Sequence, residues 1–188
     1  MIMPELLIVI AVVCFLPVLY VILTYNSLVA LRNHIRDAWG NIDTELKRRY
    51  DLIPNLVATV KGYAAHEKDI FERITQLRAQ CLANTGAVRE QAATESQLVD
   101  ALQRLLAVVE NYPQLKADRH FLELQRELVN TEDRIQAARR FFNGNVRDYR
   151  NKCETFPSSI IAGIFGFESQ DYFSVSPSVR EVPDVDFG

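Results

Sequence analysis

Several features that would point to a chemical function are scarce or missing in this 188-residue chain. Glycine and proline number seven each, and no repeat or low-complexity tract is present. The three cysteines form neither a CxxC pair nor a cluster with histidine, which argues against a disulfide framework and a zinc site. The net charge of −3 gives no strong positive field, so nucleic-acid binding is not predicted.

Catalytic motifs are missing as well. The sequence has no phosphate-binding GxxxxGK[ST] loop, no GxGxxG and no recognisable serine nucleophile motif. His66–Glu67 resembles half of a zinc-protease motif, but the second histidine one helical turn later is missing. His34 and His120 have no obvious ligand partners. We therefore predict no catalytic, cofactor-binding or metal-binding residues, and no enzyme activity.

Charge is missing from one continuous run, Leu6–Leu23, which reads LLIVIAVVCFLPVLYVIL. These 18 residues extend for about 27 Å as a helix, which is close to the hydrocarbon thickness of a bilayer. The run predicts a transmembrane anchor, with Tyr20 and Tyr25 near the headgroups. A cleaved signal peptide is the alternative, disfavoured because MIMPE before the run contains Glu5 and no basic residue, and no A-x-A site follows.

Flanking charge predicts the orientation of this anchor. No basic residue precedes the run, whereas Arg32 and Arg36 follow it. The positive-inside rule therefore places residues 1–5 outside the cell and the C-terminal part in the cytoplasm.

Beyond the anchor, apolar residues recur every three or four positions and predict long helices. In the first part of this pattern, the apolar residues form one stripe along a helix, and their spacing does not shift across Pro54. We therefore expect one helix to about Ala83, kinked near Asp51–Pro54. A break into two antiparallel helices at Pro54 is the alternative. Trp39 falls on this stripe and is expected to pack in the core.

Two further helices are predicted, from about Arg89 to Asn111 and from about Leu115 to Glu154. Asn84–Gly86 separates the first of them from the preceding helix, with Gly86 suited to a C-terminal cap. The last helix has a stripe of period near 3.5, as in coiled-coil packing. The expected fold is all-α: a transmembrane helix that continues into an antiparallel bundle of long helices.

The C-terminal part has a different composition. Phe156–Pro157 ends the last helix, and the following SSIIAGIFGF is apolar but too short to span a bilayer. Five acidic residues from Glu168 onward, with two prolines, predict an extended tail. The chain thus divides into an outside N-terminus (1–5), the anchor (6–23), the bundle (24–154) and the apolar segment with its tail (155–188). The residues expected to contact another subunit or the membrane are Ile160, Ile161, Ile164, Phe165 and Phe167.

The predicted helices contain two short basic clusters, Lys47–Arg49 and Arg139–Arg140. We expect them to lie on solvated helix faces and to pair with nearby acids. Contact with an anionic partner or with lipid headgroups is the alternative. The acids expected as partners are Glu45, Asp51, Glu132 and Asp133.

Two long stretches of the sequence resemble the LemA family. The first is YNSLVALRNHIRDAWGNIDTELKRRYDLIPNLVATVKGYAAHE at 25–67, and the second, at 110–167, contains FPSSIIAGIFGF. The ending YFSV…VPDVDF is also similar. The resemblance implies a bacterial inner-membrane protein with a short outside N-terminus, a cytoplasmic helical bundle and no established catalytic residues. Its members include proteins associated with magnetosome membrane formation, which suggests membrane organisation.

These features favour a non-enzymatic membrane scaffold that self-associates and contacts lipid. Confinement to a plane raises the effective concentration of subunits, so weak contacts between helices suffice for a homo-oligomer. An adaptor or regulator that binds a membrane protease or an envelope-stress sensor is the alternative. An unrecognised enzyme is the third hypothesis, and it would require a buried carboxylate pair or a metal site.

Overall fold

The computed structural model describes the backbone of residues 2–174 and the side chains of residues 13–174. Within this range all regular structure is helical, which confirms the all-α prediction. Most of the predicted acidic tail, residues 175–188, lies outside it. The helices are α1 (Ile2–Lys61), α2 (Lys68–Ala83), α3 (Val88–Val109), α4 (Pro113–Lys116), α5 (Arg119–Glu154) and α6 (Ser158–Ile164).

Helix α1 continues without a break through Pro54, so the alternative of two helices separated there is wrong. Proline has no N–H, and the carbonyl of Tyr50 therefore lacks its usual partner four residues later. The guanidinium of Arg78 donates to this carbonyl instead, with Nε 2.7 Å from the oxygen. A contact from α2 thus compensates for the hydrogen bond that Pro54 removes from α1.

The chain turns at residues 62–67, and the prediction of one helix reaching Ala83 is wrong. The turn closes with hydrogen bonds from the Tyr63 and Ala64 amides to the Val60 carbonyl (3.0 and 2.9 Å). Helix α2 then packs its buried face, which includes Ile74 and Leu77, beside α3 and α1. The regular spacing of apolar residues continues across the turn because the buried residues of α1 and of α2 belong to the same core.

The last long helix also begins later than predicted. The residues from Pro113 to Lys116 form a separate short helix, α4. Asp118 then caps the start of α5, because its Oδ1 accepts the amide hydrogen of Phe121 at 2.9 Å. The sequence predicted one helix in place of α4 and α5, because the apolar spacing is similar on both sides of this cap.

The described residues form two compact units. The anchor unit combines residues 2–41 with Arg140–Asp171, and the second unit combines Ile42–Arg139 with residues 172–174. In the second unit Glu45 pairs with Arg134 and Arg49 with Glu132, so α1 and α5 are antiparallel there. The core of the anchor unit includes Leu28, Ile35, Ala38, Phe142, Val146, Tyr149, Ile161 and Ala162. That of the second unit includes Ile42, Leu46, Ile53, Leu56, Ile74, Leu77, Leu98, Leu105, Phe121, Leu128 and Ile135.

Candidate membrane-interface site

The N-terminal part of α1 changes from exposed to buried at one position. One described helix, Val13–Lys61, is long and apolar enough to cross a membrane. Its large apolar side chains are mostly exposed up to Leu23, which is 59% exposed. The next residue, Thr24, is 3% exposed, and Leu28 is fully buried. Packing against other parts of the anchor unit therefore begins where the predicted anchor ends.

Helix α6 forms the second part of the site and ends in a tight turn. Gly166 has φ 67°, in the left-handed region that favours glycine. The amide of Phe167 donates to the carbonyl of Ala162 at 2.9 Å, and that of Gly166 to Gly163 at 3.4 Å. This pair of hydrogen bonds is the Schellman motif of helix ends. It reverses the chain, so Phe167 packs with its side chain buried while Phe165 stays half-exposed.

Aromatic contacts join α6 to the foot of the anchor. The ring of Tyr25 is 4.9 Å from that of Phe165 and 5.6 Å from that of Phe167, both in edge-to-face geometry. The guanidinium of Arg32 lies 5.3 Å from the centroid of Phe167, within cation–π range. The segment after Pro157 is thereby held beside the first residues that follow the apolar run.

Two titratable groups near this contact are held in their neutral forms. Burial raises the pKa of Tyr149 to about 12, and the charge of Glu168 acts in the same direction. Burial also raises the pKa of the Cys153 thiol. A thiol with a raised pKa is a poor nucleophile at neutral pH. The anchor unit thus offers apolar and aromatic surface here rather than a reactive group.

The structure divides the five residues predicted to contact a subunit or the membrane. Ile161 and Phe167 are buried within the anchor unit, at 5% and 9% exposure, and are not available for such contact. Ile160, Ile164 and Phe165 are 54%, 73% and 50% exposed. That these three contact another molecule stays a prediction. Phe156 is also exposed, at 76%, and the sequence gives no signal for this, because a Phe–Pro pair indicates only the end of a helix.

A buried ionic cluster occupies the second unit. Arg49, 1% exposed, pairs with the carboxylates of Glu95 and Glu132, the latter at 2.7 Å. The hydroxyl of Tyr50 donates to Glu95, which is 4% exposed. One guanidinium thus connects α1, α3 and α5 through charge-assisted hydrogen bonds. This arrangement fixes how the three helices are aligned in the unit.

The expectation that Arg49 lies on a solvated face is wrong. Its neighbour Arg48 does follow the expectation, with a side chain 45% exposed and 3.6 Å from Glu45. Helix geometry turns Arg49 by about 100° from Arg48 and towards the core. The signal available in the sequence was an acid on a predicted buried stripe, Glu95, which lies three positions before Leu98.

Two further groups beside the cluster are also neutral. Burial is the main cause that raises the pKa of Tyr50 above its ordinary value, and the charge of Asp43 acts in the same direction. Burial likewise raises the pKa of the Cys81 thiol. Among the residues that the structure describes, no group of three or more His, Cys, Asp or Glu side chains is placed to hold a metal ion.

Comparison with known proteins now decides the family. Residues 38–187 match the LemA family. The chain belongs to the LemA family. The resemblance seen in the sequence is therefore confirmed, and the family match covers the bundle from residue 38 onward and the apolar segment that contains α6.

Individual relatives of this LemA family member extend the comparison. The magnetosome protein MamQ of Magnetospirillum gryphiswaldense is 26% identical over 182 residues, covering 84% of this chain and 67% of that protein. The magnetosome protein MamQ 2 of Paramagnetospirillum magneticum is 26% identical over 195 residues, covering 90% and 71%. Protein LemA of Metamycoplasma hominis is 28% identical over 138 residues, covering 73% and 63%. Together with the apolar helix, these relatives indicate membrane association.

Proposed function

We propose that this LemA family member is a non-enzymatic, membrane-anchored helical scaffold. Its copies self-associate into a membrane-bound oligomer that organises the membrane or the proteins in it. The observation that carries this proposal is α1 itself. The same helix exposes apolar side chains between Val13 and Leu23 and contributes to a packed core from Thr24 onward.

A helix that both anchors the chain and contributes to its core supports assembly in the plane of the membrane. Subunits held in one membrane diffuse only in that plane, and this raises their effective concentration. Weak contacts between bundles are then sufficient for association. Exposed apolar side chains outside the apolar run, such as Phe141 (60%), Val129 (52%) and Leu82 (51%), are available for such contacts. The name magnetosome protein, which two of the relatives carry, fits a role at a membrane.

The proposal includes an orientation in the bacterial inner membrane, with the N-terminus outside and the bundle in the cytoplasm. Arg32 and Arg36 after the apolar run support it. A tag at the C-terminus should resist external protease in spheroplasts, whose outer membrane has been opened, and be digested after lysis. Digestion in intact spheroplasts would reverse the orientation.

Self-association is tested with two differently tagged full-length copies expressed together. After extraction in mild detergent, we expect each tag to recover the other, and light scattering to give a protein mass several times the 21.5 kDa of one chain. A mass of one chain at cellular concentration would contradict the scaffold. Recovery of a different protein in fixed stoichiometry, without self-association, would favour an adaptor instead.

A further inference from the structure

We propose that α6 and the residue after it form a second membrane contact. Ile160, Ile164 and Phe165 lie in the headgroup–acyl boundary of the same bilayer that α1 crosses. This inference rests on the membrane anchoring in the proposed function, but not on self-association. It assigns a partner, the lipid surface, to apolar side chains that the anchor unit leaves exposed.

The depth of Phe165 follows from its contact with Tyr25. The uncharged run ends at Leu23, and Tyr25 lies two residues later, about 3 Å further along the helix. The interfacial layer on each side of the hydrocarbon is roughly 5–7 Å thick. Tyr25 therefore lies in this layer, where tyrosine is enriched. The ring of Phe165, 4.9 Å from that of Tyr25, lies at a similar depth.

The two faces of α6 differ as an interfacial helix requires. Ile161 and Ala162 are buried in the anchor unit. Ile160 and Ile164 are four positions apart, share one face, and are exposed. No charged residue occurs between Phe156 and Phe167, so no charge would have to enter the acyl boundary.

Arg32 lies on the side of the proposed lipid contact that faces away from the hydrocarbon. The Arg32 guanidinium, beside the Phe167 ring, follows Tyr25 by seven positions, or about 10 Å of helix. Arginine side chains reach back towards the interface with their charged ends. Arg32 is thus placed to meet lipid phosphates while Phe165 meets the acyl boundary.

The depth of the patch favours lipid over a second copy of the chain. At the level of Tyr25, the exposed side chains of the apolar run already face lipid, and Phe165 contacts Tyr25 there. Insertion into the bilayer surface requires no minimum area, because the apolar helix already holds the chain at that surface.

Tryptophan fluorescence tests this contact, since Trp39 is the only tryptophan. In the full-length chain, W39F removes the native signal and keeps an aromatic ring against Phe142. F165W then places the reporter in the proposed contact. The protein is reconstituted in vesicles of phosphatidylethanolamine and phosphatidylglycerol that carry brominated acyl chains. We expect quenching several-fold stronger with bromine near the headgroup end of the chain than with bromine near the bilayer centre.

The matched control is F141W with W39F. Phe141 is also an exposed phenylalanine of the anchor unit, at 60%. Its neighbour Phe142 contacts Trp39, which follows Tyr25 by about 21 Å of helix. Brominated lipid should leave this reporter unquenched. I164W with W39F repeats the measurement at the most exposed residue of the three, in case circular dichroism shows that F165W disturbs the fold.

Three outcomes would overturn the inference. The first is quenching of F165W and I164W no stronger than that of F141W. The second is quenching strongest at the bilayer centre. The third is absence of lipid quenching with an emission that shifts when protein is diluted in excess lipid, since this would identify a second copy as the occupant. Light scattering measures self-association separately, so failure of the scaffold and failure of the lipid contact are distinguishable.

Discussion

The anchor unit and the second unit are stabilised by different chemistry. In the anchor unit, Tyr25 meets Phe165 and Phe167 edge-to-face, and Arg32 lies beside Phe167. In the second unit, Arg49 is buried between two carboxylates. Packed aromatic rings tolerate small shifts of the helices that carry them, whereas hydrogen-bonded charges require the donor and acceptor atoms to be aligned. The unit that carries the apolar run packs aromatic rings at the end of that run, and the other unit buries charge in its core.

The largest effect is expected from breaking the ionic cluster. R49L leaves Glu95 buried without its cation, which should lower the free energy of unfolding by about 3–5 kcal/mol. Urea titration of the full chain in detergent, followed by circular dichroism, measures this. R48L is the matched control, because Arg48 is half-exposed and its pair contributes under about 1 kcal/mol. Equal losses for both variants would show that burial of Arg49 does not matter.

A second comparison lies within the anchor unit. F167A removes a buried ring that contacts Tyr25, and should lower the free energy of unfolding by about 3 kcal/mol. F165A removes a half-exposed ring, and should lower it by less than about 1 kcal/mol. Thermal unfolding of the two variants in the same detergent gives the difference. If F165A destabilised the chain as much as F167A, Phe165 would be part of the core.

The bond between Arg78 and the Tyr50 carbonyl gives a smaller effect. R78M removes the donor that compensates for Pro54 and should lower the free energy of unfolding by about 1–2 kcal/mol. With P54A the helix regains its own N–H donor. R78M should therefore lower the free energy of unfolding by less in the P54A variant than in the native chain. A double-mutant cycle in urea measures the coupling. Additive effects would mean that the two donors do not substitute for each other.

The smallest effect on stability is expected at the junction between the apolar run and the bundle. N26G with S27G lowers helix propensity by about 1 kcal/mol in total, and neither side chain is buried. If α1 must be continuous for assembly, the oligomer measured by light scattering should decrease. The control N26A with S27A should keep it. Unchanged assembly of the glycine variant would mean that the anchor acts only as a tether.

The sequence predicted the helical class and an apolar stripe along the last long helix. On that stripe, the buried residues include Leu128, Ile135, Phe142, Val146 and Tyr149. It did not predict the turn at residues 62–67, because the apolar phase continues across it and Gly62 alone is a weak signal. The cap at Asp118 was missed for the same reason.

The sequence predicted which residues belong to the candidate site, but not which of them are exposed. Local sequence placed Ile160, Ile161, Ile164, Phe165 and Phe167 in one apolar segment but could not divide them into buried and exposed. The division depends on Tyr25 and Arg32, which are far away in the chain. The turn at Gly166 then separates Phe165 from Phe167.

The sequence by itself determined what depends on composition and period: an uncharged run as long as a bilayer is thick, and stripes that must be buried in a bundle. The tertiary structure decided which individual side chains are enclosed. Arg49 belongs to a basic cluster in the sequence, yet it is buried because Glu95, 46 residues away, meets it in the core. Burial is a property of neighbours, and those neighbours come together only when the helices pack.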